Sequence, residues 1–219
     1  MQSAASFFDD SIDPPVRGWL HAPAIPNGEA LILTHGAGSN ANAPLLVALA
    51  ETFSSDGYTV LRCDLPFRQA KSFGPPFPAT AARDRAGLRN AVELMRQKVT
   101  GKIFLGGHSY GGRQSSMLCA EEPELVSGLL LLSYPLHPPR KPEQLRTQHL
   151  PNLRTPSLFV QGTRDPFGSV EEMRKALELI PAKTRLVEID GAGHDLGFKG
   201  KTRAEELPPR ILAEFGKLF

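Results

Sequence analysis

The residues best suited to chemistry in this chain are Gly107-His108-Ser109-Tyr110-Gly111, a Gly-x-Ser-x-Gly run. It follows the apolar stretch Lys102-Ile103-Phe104-Leu105 and precedes a helical pattern from Arg113 to Glu121. A turn this sharp between strand and helix leaves no room for side chains at its flanks. Glycine therefore stands on both sides, and the serine is held at a strained apex with its hydroxyl exposed. Such a serine attacks an acyl carbon if a base takes its proton. His194, in Gly191-Ala192-Gly193-His194, is the candidate base, and Asp165, in Gly162-Thr163-Arg164-Asp165-Pro166, is the candidate acid that orients it. The oxygen that becomes negative needs preorganised donors. One is the backbone N–H of Tyr110. The second is expected from the small-residue loop His35-Gly36-Ala37-Gly38-Ser39-Asn40, at Ala37, with Gly38 as its rival; Gly36 and Gly38 let the backbone come close to a substrate.

These residues must be gathered by the elements around them. Short apolar runs at 30–34, 58–63, 102–106, 129–133, 157–161 and 185–189 read as buried strands. Helical spacing marks 45–53, 81–99, 113–121, 170–180 and 202–218, the last with Pro208-Pro209 expected to bend or restart it. A short helix is expected near Glu143–His149, and 68–80 reads as an irregular Pro/Gly-rich loop. Val16–Ala22 reads as an edge strand, and residues 1–15 as a loose N-terminal arm without the basic start and apolar segment of a signal peptide. Strands alternating with helices predict an α/β fold, a mostly parallel sheet of about 6–7 strands covered on both faces, in one domain over 16–219. In such sheets the loops beyond the carboxyl ends of the strands form the site. The loops bearing Ala37, Ser109, Asp165 and His194 all leave strands at that edge.

Composition excludes other classes. The chain has 219 residues, with 41% hydrophobic and 22% charged residues, ordinary for one globular domain. A net charge of +2 gives no reason to expect nucleic acid or a membrane surface as partner. No apolar run is long enough to cross a bilayer. Cys63 and Cys119 read as buried thiols of a reducing compartment such as the cytoplasm. The histidines lack metal-site spacing, so no metal is expected, and Gly36-x-Gly38 lacks the third glycine of a dinucleotide loop.

Four pieces, His35–Gly38, Gly107–Gly112, Gln161–Pro166 and Gly191–His194, resemble in order and spacing the α/β-hydrolases, in particular compact carboxylesterases and the dienelactone-hydrolase-like branch. The resemblance implies a serine hydrolase that cleaves a small ester through an acyl-enzyme, with no cofactor. It also implies the order Ser109, Asp165, His194 for nucleophile, acid and base. Two departures stand out: the family's N-terminal hairpin is reduced to Val16–Ala22, and no long insertion follows Ser133 to build a large lid.

Several residues carry a competing role. Asp165 is also suited to capping the helix that begins near Ser169. Asp64 suits loop bracing better than catalysis. His35 is expected to brace the Ala37 loop, His108 to point away from the serine, and His21, His137 and His149 to lie at the surface. Arg68, Arg113, Arg140 and Arg164 adjoin the same edge. They would either take an anion on the substrate, with Arg68 and Arg113 as the candidates, or serve solubility and ion pairs. Tyr110, Phe67, Phe73, Phe77, Tyr134 and Phe167 are the candidates for an apolar pocket. The alternative to an ester hydrolase is a hydrolase fold kept as a binding or scaffold module, or an enzyme for thioesters, lactones or amides.

Overall fold

A computed structural model describes residues 4–198 and 201–219. Six parallel strands make up most of an eight-stranded sheet: β3 (Ala30–Thr34), β4 (Thr59–Asp64), β5 (Ile103–His108), β6 (Gly128–Leu132), β7 (Ser157–Gly162) and β8 (Thr184–Ile189). Two antiparallel strands, β1 (Ala5–Asp9) and β2 (Val16–His21), complete one edge, giving the order β1-β2-β4-β3-β5-β6-β7-β8.

The apolar runs are nearly continuous because both faces of these strands are covered. In β6, Leu129 and Leu131 join one hydrophobic cluster while Leu130 and Leu132 join the other. The first cluster takes Leu88, Val92 and Met95 from α3 (Ala81–Arg96), Leu118 from α4 (Tyr110–Glu121), and Met173 and Leu177 from α5 (Val170–Leu177). The second takes Leu46, Leu49 and Phe53 from α1 (Pro44–Ser55), and Leu207, Ile211 and Phe215 from α6 (Lys201–Gly216).

Four expectations are corrected. Residues 4–15 are not a loose arm, although Met1–Ser3 lie outside the described residues. Ala5–Asp9 pairs along its length with β2, Phe7 packs on the core, Arg83 forms two bonds to the Asp13 carboxylate, and Asn90 donates to the Pro14 carbonyl. The N-terminal hairpin is thus present, and β1 rather than β2 is the strand at that edge of the sheet. The 68–80 segment is partly regular: a five-residue helix, α2 (Pro66–Ala70), opens it and a 3-10 turn at Pro78–Thr80 closes it. The short helix expected near Glu143–His149 is replaced by turns and a 3-10 turn at Leu150–Asn152. Finally, of the bend or restart expected at Pro208-Pro209, the restart is absent, and α6 runs through both prolines. Packing of Leu207, Ile211 and Phe215 outweighs the two lost backbone donors.

Candidate active site

Ser109 sits where β5 becomes α4. Its N–H donates to the Leu132 carbonyl of β6 at 2.8 Å, and its carbonyl accepts from Arg113 N–H at 2.9 Å, the first turn of α4. One residue therefore ends a sheet ladder and starts a helix, and its backbone takes φ 51° and ψ −116° to do so. A non-glycine residue there is strained, and the surroundings must hold it. Glycine is needed at the neighbours because backbone comes too close for a side chain: a methyl at Gly107 would stand 2.5 Å from the Thr34 carbonyl oxygen.

His194 and Asp165 arrive from the loops after β8 and β7. Asp165 Oδ2 and Oδ1 lie 2.8 and 3.0 Å from His194 Nδ1, and His194 Nε2 lies 2.8 Å from Ser109 Oγ. A carboxylate beside Nδ1 fixes the proton there, which leaves Nε2 free to accept from the serine hydroxyl. The Asp165 side chain is fully buried and accepts a further bond from Phe167 N–H. The Phe167 ring lies over the His194 imidazole, with centroids 4.2 Å apart and planes tilted by 31°. Helix capping is not the task of Asp165, because Ser169 caps α5 and forms a reciprocal capping box with Glu172.

His108 has a task its place in the sequence did not reveal. Its Nε2 lies 2.7 Å from the His194 carbonyl oxygen, so Nε2 carries the proton and donates. Burial, the largest influence, pushes this imidazole down to about 4, which keeps it neutral. The serine turn and the histidine loop are thus pinned together twice, through Ser109 Oγ and through His108.

The Ala37 loop is oriented by its neighbours. The Gly36 carbonyl accepts from His35 Nδ1–H at 2.9 Å and from Ser39 N–H at 3.1 Å. In a trans peptide the N–H points opposite to the carbonyl, so these two donors also set the direction of the Ala37 N–H. His35 Nε2 in turn accepts from Leu65 N–H, and buried His35 is pushed below its ordinary pKa mainly by burial. Asp64 accepts from Ala41 N–H and Arg17, which is the bracing role expected of it. Across the cleft, Tyr110 N–H lies in the first turn of α4, where helix N–H groups have no partner within the helix. Its ring is anchored: Tyr110 hydroxyl donates to Asp84 Oδ2 at 2.8 Å, and Asp84 Oδ1 accepts from Phe67 N–H.

A cavity of about 740 Å³ opens over Ser109. Gly36, Ala37, Gly38 and Ser39 form one wall, and Pro76, Phe77 and Pro78 another. Tyr110, Arg113, Gln114 and Met117 reach it from one face of α4, and Pro135, Arg146 and Phe167 close it. Of the arginines singled out in the sequence, only Arg113 lines this cavity. Arg68 is buried and occupied elsewhere: its guanidinium donates to the carbonyls of Ala37, Ser39, Lys71 and Gly74. It is a strut beneath the Ala37 loop, which corrects its candidacy for substrate. Arg140 and Arg164 are exposed and do not line the cavity, whereas Arg146, which the sequence reading missed, does. Among the aromatics, Tyr110, Phe77 and Phe167 line it, Phe67 and Tyr134 are buried in the core, and Phe73 is exposed.

The remaining histidines are not at the surface. His21 and His137 are buried and His149 is half-buried, paired respectively with Arg62, with Pro138 carbonyl and Glu172, and with Ser116. Cys63 and Cys119 are buried free thiols, each pushed up to about 12 by burial.

A strained serine between strand and helix, on a mostly parallel sheet with an aspartate and a histidine beyond later strand ends, is the architecture of the α/β hydrolases. Residues 27–209 match the family model described as an alpha/beta hydrolase domain, and the chain belongs to that family. Among solved structures, it is similar to an alpha-beta serine hydrolase homologue from Coxiella burnetii (18% identity, 98% of both chains, TM-score 0.78). It is also similar to a dienelactone hydrolase from Anabaena variabilis (21% identity, 96% of this chain and 97% of that one, TM-score 0.73). A third is XC6422 from Xanthomonas campestris, an a/b serine hydrolase without lid (17% identity, 97% and 94%, TM-score 0.73). At these identities the likeness is one of fold. A 67-residue stretch is 42% identical to the polyketide synthase ThaQ of Burkholderia thailandensis, covering 31% of this chain and 3% of that much longer protein.

Proposed function

We propose that this protein is a serine hydrolase of small carboxylic esters that works through an acyl-enzyme. The observation that carries the reading is the unbroken chain from Ser109 Oγ through His194 to buried Asp165, with both links at 2.8 Å. Ser109 Oγ bonds to the ester carbonyl carbon as His194 Nε2 takes its proton. The tetrahedral oxyanion is held by the N–H groups of Tyr110 and Ala37, next to the positive end of α4. The C–O bond to the alcohol then breaks, and His194 returns the proton to that alcohol. Water, deprotonated by the same imidazole, releases the acid and restores Ser109. Asp165 keeps the tautomer and offsets the imidazolium, and His108 holds the backbone of the histidine loop. No step calls for a cofactor.

Replacing Ser109 with Ala is expected to lower turnover of 4-nitrophenyl acetate by a factor on the order of 10⁴. A fluorophosphonate probe is expected to label the wild type at Ser109 and to leave the variant unlabelled. Undiminished turnover in the variant, or a wild type that neither turns over nor labels, refutes the reading in favour of a binding module on the same fold.

A further inference from the structure

The cavity-facing side of α4 carries positive charge that no ion pair among the described residues neutralises. Arg113, one helical turn beyond Ser109, and Arg146, from the connection after β6, both line the cavity. Among the described residues neither makes an ion pair, and no residue lining the cavity is acidic. This contrasts with nearby Arg85, which is paired with Glu121. The Arg146 guanidinium donates from Nη1 to the Pro135 carbonyl at 3.2 Å. Arg113 Nε is buried without a hydrogen-bond partner. Beside it on the cavity wall, Gln114 is 1% exposed, and its Nε2 is also without a partner. Leaving buried donors unpaired is costly, and bringing two guanidinium groups together without an acid adds to that cost. The positive field is felt by its neighbours: half-buried His149 is pushed down to about 4 by burial first, then by Arg113 and Arg85.

We infer that Arg113, Arg146 and the Gln114 amide form a subsite for a carboxylate, and that the substrate is an ester whose acyl or alcohol part ends in that group. This rests on the serine hydrolase reading and names its substrate class. The donors are two planar forks and one amide, which suit a planar carboxylate. Phosphate sites commonly draw on backbone N–H groups at a helix N-terminus, and here the N-terminus of α4 is directed at the Ser109 oxyanion. Arg113 N–H bonds to the Ser109 carbonyl, one helical turn along α4, and both side chains line the same cavity.

The test compares 4-nitrophenyl hydrogen glutarate with 4-nitrophenyl pentanoate, esters of matched length that differ in charge. The wild type is expected to favour the anionic ester by tenfold or more in kcat/KM, mainly through KM, and to lose that preference as NaCl is raised. In R113M and in R146M the ratio between the two esters is expected to fall by tenfold or more, with R113K recovering part of it. Because each variant is its own reference, a loss of folding shows as loss of both activities and is resolved by the other variant. Equal turnover of the two esters by the wild type, or an unchanged ratio in both variants, overturns the subsite. If neither ester is turned over, the hydrolase reading has failed, and calorimetry decides the subsite alone. Glutarate must then bind wild-type protein at least tenfold more tightly than glutaramide, and must lose that advantage in R146M.

Discussion

At the scale of single residues, the site depends on atoms one step removed from the serine. His108 is the clearest case. It precedes the serine in the sequence, yet its ring reaches the His194 carbonyl, so one strand end holds both Ser109 and the backbone of His194. Replacing His108 with Phe keeps the ring volume and removes that donor. Turnover of 4-nitrophenyl acetate is expected to fall by about 10- to 100-fold, chiefly in kcat, with fluorophosphonate labelling slowed in proportion. A variant with wild-type kcat would show that the bond is idle. Ser109, Asp165 and His194 were legible in the sequence because small-residue loops announce them. His108 and Arg68 were not, because their work is hydrogen bonding to carbonyls of distant loops, which no spacing encodes.

At the scale of elements, β5 explains why the turn can be so tight. Gly106 and Gly107 let the neighbouring backbones close in: a methyl on Gly106 would lie 2.1 Å from the Leu130 carbonyl oxygen. That obstacle is main chain in the middle of the sheet, so it has little freedom to shift. Gly106→Ala is expected to destabilise the fold by about 3 kcal/mol or more, read as a lowered urea midpoint. An unchanged midpoint would mean that β5 and β6 can part without cost. The parallel strands and their helices were legible because a short apolar run and a 3.6-residue spacing are strong patterns. β1 was not: Ala-Ser-Phe-Phe-Asp is short, only partly buried and lies in an acidic stretch, and its stability comes from pairing with β2. Arg146 escaped for a related reason, since the proline-rich path from Pro135 to Pro156 has no period from which to read its direction.

At the scale of the whole molecule, two hydrophobic clusters on opposite faces of one sheet leave several histidines neutral inside the protein. His21, His108 and His149 are each pushed down to about 4, in every case first by burial. Their folded values lie below the ordinary 6.5. Between 6.5 and 4 the unfolded chain therefore binds protons that the fold refuses. Stability is complete above the upper value, falls as the pH drops through this window, and levels off below it. Each histidine adds a slope of up to about 1.4 kcal/mol per pH unit. Urea midpoints are expected to decline steadily from pH 6.5 to 4.5, and His149→Gln to flatten that decline. A midpoint constant over this range would contradict the buried neutral state.

The stretch from Lys71 to Pro78 bounds the cavity with Pro76, Phe77 and Pro78 but contributes no side chain to either hydrophobic cluster. Its Lys71 and Gly74 carbonyls accept from one guanidinium, that of Arg68, and the Lys71 ammonium lies over the Phe77 ring. Its side chains thus lie outside the packing that joins sheet and helices. Substitutions in this wall are expected to reshape the cavity while leaving the Arg68 fastening and the Ser109–His194–Asp165 arrangement in place.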